Sequence, residues 1–380
     1  MLYTFVEFVI PVITLSWLII LLFRIFSYFK IDKLKLKTET LSQPLISIII
    51  PARNESSNIK RCLQSIKNQS YSNYEVIIVD DNSTDDTYEI TKKFCQNDDR
   101  FSIVKINHDN PDWVGKNYAC HKGYKKSNGS ILLFIDADTE HHSNSVLSSF
   151  SYMQQNNLDV LTTLPQLICP DFWGKLILPI LISMINIVYS PLFLNSKHTP
   201  IAYLIGAFIL IKKQTYDSIG GHESVKSSFV EDKSLGELVK NSGFNLRLVR
   251  SNSLVSTYSN VGYSNNLDAI QRATSTSFIE LNFIIGLFSI FFAFIGLVFP
   301  YLLLIFVNSF NLFYSILIFF TISFMAMSYL IEFTDIRHSK FYILFQPFTN
   351  FILFLNIIIS VFKIYSNSKF VWRDRAYTKK

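Results

Sequence analysis

The sequence predicts an α/β domain, a parallel sheet covered by helices, inserted between membrane-spanning helices. Three observations carry this reading. Strand-like and helix-like stretches alternate from about Leu45 to Tyr263, the signature of parallel strands joined by helical crossovers. Long apolar runs flank that stretch on both sides. The composition is 49% hydrophobic with only 17% charged residues and a mean hydropathy of +0.27, whereas an ordinary soluble domain is about a quarter charged.

Taken in order, Phe5 to Phe23 carries a single charge, Glu7, and is long enough to cross a bilayer. Arg24, Lys30, Lys33, Lys35 and Lys37 come after it. Basic residues after the apolar run reverse the order of a signal peptide and place the downstream chain in the cytoplasm. Residues 1–29 are therefore expected to anchor a domain spanning residues 44–265.

Within the domain, Leu45–Ile50, Glu75–Val79, Phe101–Ile106 and Ile131–Ile135 read as strands. Asn58–Lys67, with Ile59, Leu63 and Ile66 on one face, Thr84–Cys95 and Asn117–Lys126 read as helices. Leu176–Asn195 is charge-free, and Pro179 and Pro191 are expected to break it into a bent segment, residues 176–195, lying in the membrane interface.

Beyond the domain, Leu281–Ile331 contains no charge and is too long for one span; Asn308 and Asn311 mark a turn between two. Phe341–Phe362 is a third apolar run, completing a membrane region at 281–362. The basic tail, 363–380, favours the cytoplasm, although three crossings would place it outside. A basic patch at the membrane surface also accounts for Trp372 to Arg375.

Four cysteines lie far apart with no C-x-x-C pair, which points away from zinc sites and disulfide frameworks and fits a reducing compartment. The net charge of +6 comes with no basic stripe interleaved with aromatics, so nucleic acid is not an expected partner.

The chemistry gathers where strands end, the edge at which such sheets bind ligands. The first strand exits into Pro51-Ala52-Arg53-Asn54-Glu55 rather than a glycine-rich turn, so neither the dinucleotide fingerprint nor the P-loop is present. The second ends in Asp80-Asp81, followed by Asn82 to Asp86, which also suits a helix cap. The fourth ends in Asp136-Ala137-Asp138 with no basic residue beside the pair. Such a pair either sits in a solvated turn or holds a cation, and hard oxygen donors suit Mg2+ or Mn2+. His141 and His142 read as surface residues beside it. Gly115-Lys116 opens a helix, where an anion can dock. Glu231-Asp232 opens another, a position acids favour through the helix dipole.

Together these residues resemble the family 2 glycosyltransferases, which have the GT-A fold, over about Ile46 to Arg250. The motifs occur in family order: P-x-R-N-E at Pro51–Glu55, D-D-x-S-x-D at Asp80–Asp85, D-A-D at Asp136–Asp138, G-A-F at Gly206–Phe208, G-G-H at Gly220–His222 and E-D at Glu231-Asp232. The W-x-G-K-x-x-A block, Trp113–Ala119, resembles the membrane-bound branch that includes carotenoid-acid and hopanoid-associated enzymes.

The resemblance implies an inverting transfer from a nucleotide-sugar, a UDP- or GDP-sugar. It implies that Pro51, Arg53 and Glu55 line the nucleoside pocket and that Asp81, supported by Asp80, contacts the base. Lys116 and Asp136 would also bind the donor, Asp138 would hold the metal on the diphosphate, and Asp232 would be the general base. One base and one divalent ion suit a single displacement, and Asp138 and Asp232 must then face one cavity. Residues 176–195, lying between them in sequence, should therefore not cross the membrane. Gln271-Arg272 lacks the tryptophan of the processive Q-x-x-R-W motif, which favours one sugar per acceptor. The acceptor is expected to be lipid-like, the location a cell membrane with several spans and a cytoplasmic catalytic domain. A polysaccharide synthase and a catalytically silent membrane scaffold are the competing readings.

Overall fold

The structure is a computed structural model describing residues 2–377 except 41, 109, 111, 229, 260, 279–282, 336–337, 366–369 and 373–374. Parts of the basic tail, including Arg373 and Asp374, therefore lie outside the described residues.

The domain is built from α2 to α10 and β1 to β10, with α1 before it and the other helices after. α1 (Leu2–Lys30) leads to β1 (Ile46–Ala52), α2 (Ile59–Lys67), β2 (Tyr74–Asp81), α3 (Thr87–Cys95), β3 (Phe101–Ile106), α4 (Asn117–Lys126) and β4 (Ile131–Phe134). Then come β5 (Thr139–His141), α5 (Ser145–Gln155), β6 (Val160–Leu164), β7 (Gln166–Ile168), α6 (Phe172–Val188) and α7 (Pro191–Leu194). The domain ends with β8 (Ile209–Lys212), α8 (Lys213–Ser218), α9 (Gly221–Ser224), α10 (Glu231–Asn241), β9 (Leu246–Arg250) and β10 (Val255–Tyr258).

The main sheet has the order β3-β2-β1-β4-β8-β6-β9. The four strands read from sequence are parallel neighbours, but β8 runs antiparallel to both β4 and β6. The sheet is thus mixed rather than wholly parallel. β4, β6 and β9 still share one direction, so their carboxyl ends meet the same edge as those of β1 and β2.

Alternation of side chains builds two core layers. Ile48, Ile50, Val76, Ile78 and Leu133 pack on one face with Ile59, Leu63, Phe150 and Met153. Ile49, Ile77, Val79, Leu132 and Phe134 pack on the other with Ala119, Leu235 and Val239. A small second sheet, β5-β10-β7, sits beside the main one. The α3 helix begins at Thr87, three residues later than the sequence suggests, because Asp85 bonds outward to the N–H of Ser56 (3.0 Å) and caps Thr87 N–H (3.0 Å).

Five segments among the described residues are long and apolar enough to span a membrane: Thr4–Lys30, Phe172–Leu194, Phe283–Ile305, Leu312–Thr334 and Lys340–Lys363. After α11 (Tyr263–Phe278), α12 (Phe283–Ala293) and α13 (Phe299–Ile305) run into the expected turn at 306–311, and α14 (Leu312–Asp335) and α15 (Gln346–Tyr365) follow as the last α-helices among the described residues. The α1 and α14 helices pack side by side in the same direction. Their contacts advance in step: Thr14 with Thr321 (2.7 Å), the Trp17 ring against Tyr329, and Arg24 with Glu332 (2.8 Å).

The α6 helix corrects one expectation. Pro179 lies inside an unbroken helix, and the chain breaks only at Tyr189–Ser190 before Pro191 opens α7. Both ends of this segment touch the domain. At the start, Gly262 N–H donates to Asp171 Oδ2 (2.9 Å). At the end, the Tyr189 ring meets Tyr203 and the Asn195 amide donates to Leu248 O (2.9 Å).

Candidate active site

At the carboxyl edge, Ala52 stands opposite Asp80. Just beyond, Asn54 and Asn82 take left-handed φ values of 54° and 56°, a conformation asparagine tolerates, so both exits turn sharply. The two loops are then stitched together. Asn54 N–H donates to Ser83 Oγ (3.1 Å), Thr84 N–H to Asn54 Oδ1 (2.9 Å), and the Arg53 guanidinium to Asp81 O (2.8 Å). Asp80, Asp81, Arg53 and Glu55 are all buried. Glu55 accepts from the Asn58 amide (2.9 Å). Burial pushes the Asp80 carboxyl above the usual range, against the hydrogen bonds from Ser83. The expected nucleoside-pocket residues, Pro51 included, thus stand together on one preformed, acidic shelf.

A second cluster forms where β4 gives way to β5. Ala137 is buried in the core and anchors the turn carrying Asp136 and Asp138; Asp138 O accepts from Tyr258 N–H (3.2 Å). Lys116 stands at the start of α4, after Gly115 at φ 60°. Its ammonium lies 2.9 Å from Asp136, 3.2 Å from Glu231 and 3.9 Å from Asp232. Buried Asn117 fixes this turn by donating to Val225 O (2.9 Å) and Ser228 O (3.2 Å), just ahead of α10. The loop before β8 closes the cluster: Gly206 N–H donates to Asp232 Oδ2 (3.1 Å), and Leu204 N–H to Asp232 O (3.2 Å).

Close packing of these charges shifts their ionisation. Burial pushes Asp232 up to about 8, with Lys116 pulling down and Glu231 and Asp136 pushing up. Burial works against the Lys116 ammonium, but Asp136, Asp232 and Glu231 hold it charged well above its ordinary range.

Two expectations need correction. The Asp136–Asp138 stretch has no basic neighbour in sequence, yet Lys116, 20 positions upstream, forms an ion pair with Asp136. Lys116, expected to bind the donor, stands among protein carboxylates at the same sheet edge. His141 is also not a surface residue. It is 4% exposed, stacks near Phe208, bonds Thr139 Oγ1 (2.8 Å), and is held neutral by burial, down to about 3. His142 is exposed. Sequence reasoning gave no role to Glu231 or Gly206, although both lie inside quoted motifs. Only the packing of α4, α10 and the loop before β8 brings them to Lys116.

The donor set suits a hard divalent ion. Asp136 and Asp138 offer oxygen only, and neutral His141 is already engaged. No group of three or more candidate ligand residues occurs among the described residues. The protein would thus supply one or two carboxylates and leave remaining positions to phosphate and water, the habit of Mg2+.

Residues 47–220 match the family model for glycosyl transferase family 2. A 4,4'-diaponeurosporenoate glycosyltransferase of Staphylococcus haemolyticus is 29% identical over 206 residues, 53% of each chain. The glycosyltransferase AglE of Haloferax volcanii is 32% identical over 124 residues, 32% of this chain and 40% of its own. The chain therefore spans about half the length of the curated relatives it matches. The structure of the mannosyltransferase PcManGT from Pyrobaculum calidifontis, solved with GDP-Man and Mn2+, superposes with a TM-score of 0.57 at 14% identity, covering 95% of this chain and 99% of that one. Residues 47–220 thus match a family 2 glycosyltransferase domain, and the mixed α/β sheet has the GT-A-like fold, flanked by apolar helices.

Proposed function

We propose that this protein is a membrane-anchored inverting glycosyltransferase that moves one sugar from a UDP- or GDP-sugar to an apolar acceptor resident in the membrane, working at the cytoplasmic face. The observation that carries the reading is the convergence of Asp136, Lys116, Gly206 and Asp232 at the same sheet edge as the Asp80-Asp81 shelf.

In this reading Pro51, Arg53 and Glu55 line the nucleoside pocket, and Asp81, braced by Asp80, holds the base. Asp136 orients the ribose and sugar. Asp138 holds Mg2+ or Mn2+, which when bound would neutralise charge on the departing diphosphate. Asp232 removes the proton of the acceptor hydroxyl as its oxygen bonds to the anomeric carbon and the nucleoside diphosphate leaves.

The GDP-Man and Mn2+ of PcManGT and the diaponeurosporenoate acted on by the Staphylococcus relative agree with this donor, metal and acceptor class. The attachment of α6–α7 to the domain at both ends supports a segment that lies against the membrane surface. A 17-residue helix is about 25 Å long, and here each end returns to the same domain.

The test combines Asp232→Asn with a donor screen. The variant should lose transfer by about a hundredfold or more and keep its donor-dependent thermal shift with Mn2+. Unchanged turnover would remove the base assignment. Mass spectrometry of lipid extracts should show a product one sugar heavier. Transfer confined to water-soluble acceptors would overturn the acceptor class.

A further inference from the structure

The break at Tyr189–Ser190 stands between α1 and the acidic cluster. Ser190 Oγ lies 2.9 Å from Ser27 Oγ on α1, and the Phe193 ring stacks on Phe23 of α1 with centroids 5.3 Å apart. Phe23 and Ser27 lie on either side of Arg24, where the apolar run of α1 ends. With α1 crossing the bilayer, this is headgroup depth. Tyrosine rings gather at that level because one end is apolar and the other wet. Val188, next to the break, is 59% exposed.

Beyond the break the chain returns to the sheet. Lys240 on α10 holds the return by donating to Phe193 O, Thr199 Oγ1 and Ile201 O. Tyr203 follows, and its ring centroid lies 5.1 Å from that of Tyr189, with the planes tilted by 38°. The next residue, Leu204, donates its N–H to Asp232 O (3.2 Å), and Gly206 N–H donates to Asp232 Oδ2 (3.1 Å). The Tyr203 phenol is within electrostatic reach of Asp232, Glu231 and Lys116. Both tyrosines are half-buried, and neither hydroxyl has a hydrogen-bond partner among the described residues.

We propose that Tyr189 and Tyr203 form the guide that leads the acceptor from the bilayer to Asp232. The apolar body of a hydroxyl-ended lipid runs along the two rings, and the phenol hydroxyls pass its hydroxyl toward the carboxylate. The inference rests on the reading of a membrane-resident acceptor and deepens it by naming the path. The two rings come from different elements, the end of α6 and the loop before β8. Each is fixed by contacts of its own, so the guide is built before the lipid arrives.

A photoactivatable geranylgeraniol, carrying a diazirine near its hydroxyl, tests the path without turnover. It is irradiated with the full chain in phosphatidylglycerol vesicles, and crosslinks are mapped by mass spectrometry. Labelling should fall within residues 188–206 and be displaced by plain geranylgeraniol. It should drop roughly tenfold when Tyr189→Leu and Tyr203→Leu are combined. Tyr189→Phe and Tyr203→Phe keep the rings and should retain most of it. Donor-dependent thermal shift with Mn2+ should be the same in every variant. If the double variant fails to fold, Tyr189→Leu alone, at the half-buried helix end, carries the comparison. Labelling elsewhere, labelling that plain geranylgeraniol does not displace, or labelling untouched by the leucine variants overturns the proposal.

Transfer kinetics give a second reading, with whichever of UDP-glucose and GDP-mannose the protein turns over. Tyr203→Leu should raise KM for geranylgeraniol roughly tenfold and leave donor KM in place, and Tyr203→Phe should restore it. A defect confined to donor KM overturns the guide. Absence of transfer to any lipid by wild type would sink the proposed function, while the crosslinks would still decide the path.

Discussion

Gly206→Ala probes the site at its tightest point. A Cβ at this position would lie 2.4 Å from Lys116 Nζ, 2.6 Å from Asp232 Oδ2 and 3.3 Å from Asp136 Oδ2. Ordinary van der Waals contact needs about 3.5 Å, so the ammonium and the Asp232 carboxylate must each retreat by about 1 Å. Gly206 does not adopt positive φ, so the substitution adds no backbone strain and acts only through this crowding. The lysine end can swing aside, which keeps the loss of stability near the lower limit for overpacking, about 1 kcal/mol. The carboxylate cannot move without losing its bond from the Gly206 N–H (3.1 Å). A misplacement of about 1 Å at a reacting group costs roughly a hundredfold in rate, or about 2.7 kcal/mol of transition-state stabilisation. The assay is initial transfer rate beside thermal unfolding and donor-dependent thermal shift. Transfer should collapse while unfolding moves little and donor binding persists, because the Asp80-Asp81 shelf lies on other strands. Wild-type rates in Gly206→Ala would refute the idea that transfer depends on the placement of this cluster.

Three further outcomes are expected of the same structure. On the proposed role of Asp232 as the base, acting as its carboxylate and raised by burial to about 8, the rate should climb roughly tenfold from pH 7 to pH 9; a limb already level at pH 6 would contradict this. The Arg24–Glu332 pair is buried, at 6% and 5% exposure, and Glu332 also accepts from the Asn186 amide (3.0 Å). Arg24→Ala should cost about 3–5 kcal/mol of stability, while replacing both partners with methionine should recover most of it, as read by unfolding in detergent. Lys240 donates to Phe193 O, Leu194 O, Thr199 Oγ1 and Ile201 O at 2.7–3.2 Å. Lys240→Met should cost roughly 1–3 kcal/mol and speed proteolysis between 193 and 201.

Much of the fold was legible in the sequence because local pattern and final structure agree. Ile48 and Ile50 alternate with Ile49 between two core layers, the period-two arrangement a strand requires. The charge-free run from Phe283 breaks at the turn before Leu312, where Asn308 and Asn311 signalled it. What escaped was set by distant packing. Nothing local says that β8 enters the sheet backwards, because its direction depends on how the preceding loop returns from α7. Pro179 suggested a break, but neighbouring helices bury Leu176, Ile177 and Ile180 around it, and tertiary packing holds the helix through the proline. Lys116 and Asp136 are 20 residues apart and Lys116 and Asp232 more than a hundred, so the ion cluster has no signature in any window. His141 looked like a polar neighbour of two acids, yet strand alternation turns it inward toward Phe208.

The alignment of α1 with α14 also bears on how the protein is made. Arg24 must find Glu332, 308 residues later in the chain. At a synthesis rate of roughly 5–20 residues per second, α1 waits about 15–60 s before its partner exists. During that interval Arg24 has no Glu332, and the domain between them has time to fold. The ion pair can therefore close only late in synthesis. Chains truncated before α14 should be degraded faster than the full chain, even when the domain between the two helices is intact.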